Sequence, residues 1–413
     1  MFDFAKGYSV HLKEPSVLEK NIRFESAVVE GLYGGIITEI IQYIYNPTEE
    51  EHFMTTLSDK HFIMIGSYAE ADGPGVYTAQ LNEGTGELTL LDQVSGLKNP
   101  TFLDVDTKSL RVYAISEAAA DDGGKRGEAV CLTVDPANGK LSSYSRAATV
   151  SAPTCHIQRD RSGKFLVVSS YHGGLIGLVA LNEDGTIGEL LDVEQHEGTG
   201  PNPERQDQPH PHSALFSPDN RFVFIPDLGL DRIVAYAVDP KNKVLELSGE
   251  TKLHPGAGPR HMVFHPSGKF AYVINEIDSS LTAFAYESES GQLNPIQTLS
   301  TLPMTYEGDN ICAEVTVSED GNYLYGSNRG HDSIVVCKID NGSGKLSVIE
   351  HVSTEGRHPR HFTLTPGGRY LIAANRDTDN VVTYRVDSGS GRLEFTGYTL
   401  SVSKPVCVKP CYL

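Results

Sequence analysis

The sequence predicts an all-β fold, a β-propeller of seven blades with four antiparallel strands each. Three observations carry that expectation. A 17-residue strand–turn–strand segment starts at Pro100, Pro153, Pro211, Pro259, Cys312 and Pro359. These starts lie 53, 58, 48, 53 and 47 residues apart, the period of a four-stranded blade and not of a helical repeat. A turn followed by Gly-x-Leu recurs at Gly86, Gly139, Gly188, Gly291, Gly344 and Gly391, with Val244–Leu247 as a degenerate seventh copy.

Taken in order, residues 1–53 fit no repeat. Their apolar stretch 34–46 suits a helix or a strand equally. They are expected to form a poorly ordered extension, with residues 54–413 as the propeller. The chain enters the ring at His61–Ser67, which reads as strand B of a first blade whose strand A is missing. Each of the six segments then supplies a short strand A, a turn rich in Pro, Asp, Ser, Gly or Asn, and an apolar strand B. Alternating runs such as Ile233–Asp239 and Val381–Asp387 supply strand C, and Gly-x-Leu opens strand D. The missing strand A is found at the far end, in 404–409. It is expected to pair beside the first blade, which closes the ring and removes exposed sheet edges.

Bulk properties narrow the function. A formal charge of −20 argues against nucleic acid as a partner, because phosphate binding needs a basic face. A few arginines can still make one pocket positive. No run of about 18 apolar residues indicates a membrane span, and no secretory signal is evident. The six cysteines form no C-x-x-C pair, so zinc-ribbon and redox motifs are excluded. Buried, reduced thiols in a cytoplasmic protein are expected. The absence of Trp weighs against a protein-binding hot spot.

Strand A is innermost and strand B runs back beside it. The start of A and the end of B therefore share one face of the disc. His212 and Arg260 each follow a strand-A proline, and Glu276 and Arg329 each follow a strand B. All four should ring one mouth of the central channel, from three consecutive blades. The longest connection, Glu194–Gln208, should lie on that face and carries Arg205.

Over about residues 60–409 the chain resembles the lactonase family of seven-bladed propellers. That family includes bacterial 6-phosphogluconolactonases of the propeller type and fungal carboxy-cis,cis-muconate cyclase. The resemblance rests on the P-R-H motifs at 259–261 and 359–361 and the P-x-G-x-F/Y turns at 266–270 and 366–370. The stretches 318–334 and 403–409 extend it. It implies a catalytic His, two Arg and a Glu, which fall by position on His212, Arg260, Glu276 and Arg329. His210, Arg205, Glu314 and Arg360 are added as candidate substrate contacts.

Each candidate has a structural alternative. His210 and His212 have metal-ligand spacing, yet no Cys or carboxylate completes a set. Arg360 repeats the P-R-H motif and reads as partly architectural. His261 and His361 read as packing between blades. Glu314 reads as a second cleft carboxylate or as a structural ion-pair partner, and the Asn275, Asn328 and Asn375 column as structural. The chemistry expected is hydrolysis of a small anionic sugar-acid lactone, 6-phosphogluconolactone, with no metal or organic cofactor. The alternatives are lactone formation from a carboxylated muconate and a non-enzymatic binding scaffold. The oligomeric state is left open.

Overall fold

Unbroken apolar runs in the B strands have a simple cause: these strands are covered on both faces. Every residue of Phe222–Asp227 and of Phe270–Asn275 is buried. The D strands are largely exposed, as in Leu88–Val94, where only Leu88 is buried, because their outer face meets solvent. The structure is a computed structural model that describes residues 60–120 and 123–412, with two short paired strands, Asp3–Phe4 and Tyr8–Ser9. The chain divides into two units, residues 1–53 and 54–413. The expectation of a poorly ordered extension lies outside the described residues.

Seven four-stranded antiparallel sheets form the propeller. In blade one, strand A is the C-terminal Pro405–Tyr412, paired with strand B, His61–Ser67, from His61↔Tyr412 to Ser67↔Pro405. Strands A and B are His156–Arg159 and Phe165–Ser170 in blade three, and Leu215–Phe216 and Phe222–Asp227 in blade four. They are Pro259–Phe264 and Phe270–Asn275 in blade five, and Ile311–Val317 and Tyr323–Arg329 in blade six. In blade seven they are Pro359–Leu364 and Tyr370–Asn375. No helix among the described residues is long and apolar enough to cross a membrane.

The hydrophobic core lies between blades, not on the axis. Tyr272, Ile274 and Leu281 of blade five, for example, pack on Val315 and Leu324 of blade six. The axis is left for polar side chains. All six cysteines are free thiols; five are buried and Cys155 is half-buried.

Two details of the repeat differ from the sequence expectation. In blade three the turn glycine is Gly185, at φ +75°, and Gly188 lies inside the following strand. In blade four, Lys243 takes the left-handed position at φ +60°. The Asn column is structural, as expected. Asn328 and Asn375 are fully buried and donate to the carbonyls of Thr301 and Thr354, tying the end of strand B to the incoming connection.

The turn glycines are also joints between blades. Gly391 sits at φ +71°, and a Cβ placed there would lie 2.4 Å from the Tyr323 side chain of the previous blade. Gly397, at φ +84°, has nothing within 4 Å of such a Cβ. Gly391→Ala is therefore expected to add overpacking, about 1–3 kcal/mol, to the left-handed penalty of about 1–2 kcal/mol. Gly397→Ala carries the penalty alone. Equal losses of thermal stability in the two variants would refute the joint.

Candidate active site

The P-R-H motif encodes a backbone device. In blade five Pro259 pairs with Asn275 and His261 with Ile274, so Arg260 is an extra residue in the strand. Blade seven has the same shift at Arg360. Such β-bulges bend the strand and re-aim a side chain. Here they place each arginine at the start of strand A, where the channel opens.

The long connection between blades three and four is pinned by Gln206, which is fully buried. Its amide donates to Leu228 O at 2.9 Å and Asp231 Oδ1 at 2.7 Å. This holds the neighbouring Arg205 over the channel mouth, where its Nη2 meets Glu276 Oε1 at 2.5 Å.

Glu276 is the hub. Its Oε2 lies 2.7 Å from Arg329 Nη2, 2.9 Å from Arg260 Nε and 4.0 Å from His212 Nε2. The Arg260 N–H does not point at that oxygen, so this contact is ionic and not a directed hydrogen bond. Burial would raise the Glu276 pKa, but Arg329, Arg260 and Arg205 overcome it and hold the carboxyl below its ordinary range. So stabilised an anion is a poor proton acceptor.

His212 has the opposite character. Burial first, then Arg260, His261 and Arg360, push its pKa well below the usual histidine value. The ring stays neutral near pH 7. Its Nδ1 is enclosed and has no hydrogen-bond partner. Nε2 is thus the nitrogen on the open side, toward Glu276.

His212, Glu276, Arg205, Arg329 and Arg360 line a central cavity of about 370 Å³. A polar cavity of about 800 Å³ adjoins it and shares Arg205, Ile311, Arg329 and His358. Arg260 lies behind the wall. It is 2% exposed, its Nη1 donates to Ala313 O at 2.8 Å, and burial with Arg360 and Arg329 pushes its pKa down to about 9. Arg329 also donates to Cys312 O.

Arg360 differs from the others. Its guanidinium has no carboxylate or hydrogen-bond partner among the described residues, and lies 5.9 Å from the Tyr68 ring. By contrast Arg376 pairs with Asp377 at 2.6 Å. Arg205, Arg260, Arg329 and Arg360 therefore surround Glu276 and His212, and the other carboxylate in the cavity wall, Glu117, is already paired with Lys125 at 2.9 Å. Enclosed cations in excess of their counter-charges favour an anionic ligand.

Two further candidates fall outside the cavity. His210 stacks on Tyr171 at 4.1 Å and its Nδ1 meets Tyr171 O at 2.7 Å. Glu314 is no second cleft carboxylate. It lies deeper in the channel, where its Oε2 is 3.0 Å from His261 Nδ1 and 3.2 Å from His361 Nε2. These two histidines thus face the channel and do not pack between blades. In blade three it is His156 that joins them, while Cys155, one residue earlier, lines the cleft. Among the described residues no three His, Cys, Asp or Glu side chains are grouped to hold a metal.

Sequence reasoning missed Tyr171 and His358. Tyr171 lies one position past the column that holds Glu276 and Arg329. His358 adopts φ +62°, a strained conformation for this residue type, with Nε2 lacking a hydrogen-bond partner. Burial, then Arg329 and Arg376, lower its pKa to about 3. No local sequence signal marks that backbone.

Comparison with known proteins adds a second line. A family model described as lactonase, 7-bladed beta-propeller, matches residues 62–410. A Bacillus subtilis protein named 6-phosphogluconolactonase is 34% identical over 350 residues, 85% of this chain and 98% of that one. One of the same name from Formosa agariphila is 32% identical over 310 residues, 74% and 86%. The solved periplasmic gluconolactonase of Pseudomonas aeruginosa is 28% identical with a TM-score of 0.80, covering 85% of this chain and 99% of its own.

Proposed function

The chain belongs to the seven-bladed β-propeller lactonase family and is a lactone hydrolase; from that premise we propose that it hydrolyses 6-phosphoglucono-δ-lactone in the central cavity. The observation that carries this reading is the neutral His212 beside an ionised Glu276, in a wall with excess guanidinium charge.

A lactone is an activated ester. Opening it requires a base for the attacking water and positive groups for the developing oxyanion. His212 Nε2 takes the water proton. Glu276, 4.0 Å away, stabilises the imidazolium that forms, and Arg329 faces the oxyanion. The leaving ring oxygen recovers a proton from the imidazolium. Arg360, with its charge unspent, anchors the remote phosphate through paired hydrogen bonds. Arg260 is a positioning residue that fixes Glu276 from behind. No step calls on a metal ion or an organic cofactor.

The deciding assay is purified protein with freshly generated 6-phosphogluconolactone, corrected for spontaneous hydrolysis, beside unphosphorylated gluconolactone. A preference for the phosphorylated substrate is expected, as is an unchanged rate after extensive chelation. Equal turnover of both substrates would remove the phosphate anchor, and a loss restored by a divalent ion would remove the metal-free mechanism.

The two P-R-H arginines should separate. Arg360→Ala is expected to raise KM by about ten- to a hundredfold, the weight of one charged hydrogen bond, without lowering Tm. Arg260→Ala is expected to destabilise by about 1–3 kcal/mol, because it empties a buried site and leaves Ala313 O without its donor, while Arg205 and Arg329 still pair Glu276. If Arg260→Ala keeps its Tm and Arg360→Ala keeps its KM, these roles are wrong.

A further inference from the structure

Four strand-B tyrosines use their hydroxyls to join blades. Tyr113, Tyr272, Tyr325 and Tyr370 donate to the main-chain carbonyls of Gly185, Gly344, Gly391 and Glu83 in the next blade, at 3.0, 3.1, 2.9 and 3.0 Å. Tyr171 is different. It follows strand B of blade three and lines the central cavity.

The Tyr171 ring is held in place by both histidines of the 210–212 stretch. Its carbonyl accepts from His210 Nδ1 at 2.7 Å, and its ring stacks on His210 with 4.1 Å between centroids and 7° between planes. It meets the His212 ring nearly edge-on, 5.4 Å between centroids. Two histidines spaced as metal ligands are thus seat an aromatic ring beside the base.

The Tyr171 hydroxyl lies within hydrogen-bonding reach of the Arg205 guanidinium, which also meets Glu276 Oε1. A guanidinium only donates. The phenol oxygen is therefore the acceptor in that pair, and its own proton is left over. Burial raises the phenol pKa, so the proton stays in place near pH 7. Among the described residues no protein group accepts it, and the side chain faces the cavity.

The ligand atom that meets this donor follows from the mechanism. His212 Nε2 holds the water that attacks the acyl carbon. Three substrate oxygens lie close to that carbon: the acyl oxygen, the ring oxygen and the hydroxyl on the adjacent carbon, C2. Arg329 faces the first, and the second recovers its proton from His212. The 2-hydroxyl is the oxygen left for a donor beside His212.

We infer that Tyr171 is a specificity-determining residue of the lactonase: its hydroxyl donates to the 2-hydroxyl oxygen, so the site selects lactones of 2-hydroxy acids over 2-deoxy lactones. The inference rests on the lactonase reading but not on the phosphate, which is carried on the far carbon of the sugar acid. A site that hydrogen-bonds a substrate hydroxyl rejects the analogue lacking it, because its own donor is left unpaired.

The test compares wild type and Tyr171→Phe on freshly generated 6-phosphogluconolactone and 2-deoxy-6-phosphogluconolactone, and on the same two lactones without phosphate. Each kcat/KM is taken relative to that lactone's spontaneous hydrolysis. Wild type is expected to favour the 2-hydroxy lactone by about tenfold, the weight of one neutral hydrogen bond. Tyr171→Phe keeps the ring that stacks on His210 and should keep its Tm. It should lose about tenfold on the 2-hydroxy lactones and much less on the 2-deoxy ones, so the preference collapses with or without phosphate. A wild type without the preference, a variant that retains it, or a variant that loses equally on all lactones would overturn the role while leaving a working lactonase. A wild type that opens none of the lactones would overturn the lactonase reading as well.

Discussion

Deleting residues 403–413 is expected to abolish cooperative unfolding. The deleted strand, Pro405–Tyr412, is the innermost strand of blade one and pairs along the whole length of His61–Ser67. Val406, Cys407, Val408 and Cys411 are all buried. Burial of a Val side chain is worth about 1.5–3 kcal/mol, while a whole domain has about 5–15 kcal/mol to lose. The deletion also bares the inner edge of His61–Ser67, an unpaired apolar strand that invites aggregation. Scanning calorimetry of the truncated chain is the check. An unchanged transition would mean that the ring does not depend on this closure.

His212→Gln is expected to lower kcat by about a hundred- to ten-thousandfold, the range for a lost general base, with a modest change in KM. The pH profile separates this role from a structural one. Activity needs the unprotonated ring. Burial, Arg260, His261 and Arg360 lower the His212 pKa, so activity should persist on the acid side of the usual histidine value of 6.5. Arg360→Ala removes one of those cations and should move the acid limb upward. Glu276→Gln should depress kcat, because the imidazolium loses its counter-charge. A His212→Gln enzyme as fast as wild type, or an acid limb above pH 6.5, would take the base away from His212.

The repeat itself determined the blade count, because each copy is one four-stranded unit that cannot bury its faces alone. The strand A missing before His61 and the unpaired 404–409 together specified closure. Strand direction placed His212, Arg260, Glu276 and Arg329 on one face, and these four do meet around Glu276. Those inferences depend only on local pattern and chain direction, which a sequence carries.

Only the tertiary structure decided what each side chain does there. Arg260 and Arg360 have the same motif and the same bulge, yet one is enclosed and the other is unspent. The difference comes from their neighbours: Glu276 follows strand B in the blade of Arg260, whereas Arg376 holds that place beside Arg360 and pairs with Asp377. Arg205 reaches Glu276 because Gln206 pins a connection that the sequence shows merely as long. A one-residue shift in blade three turns His156 into the channel in place of Cys155, and strand pairing at that precision is set by bulges, not by composition. The charge of a buried group, finally, is fixed by burial and by the ions packed around it. These come from different blades, so the neutral His212 and the ionised Glu276 exist only once the ring has closed.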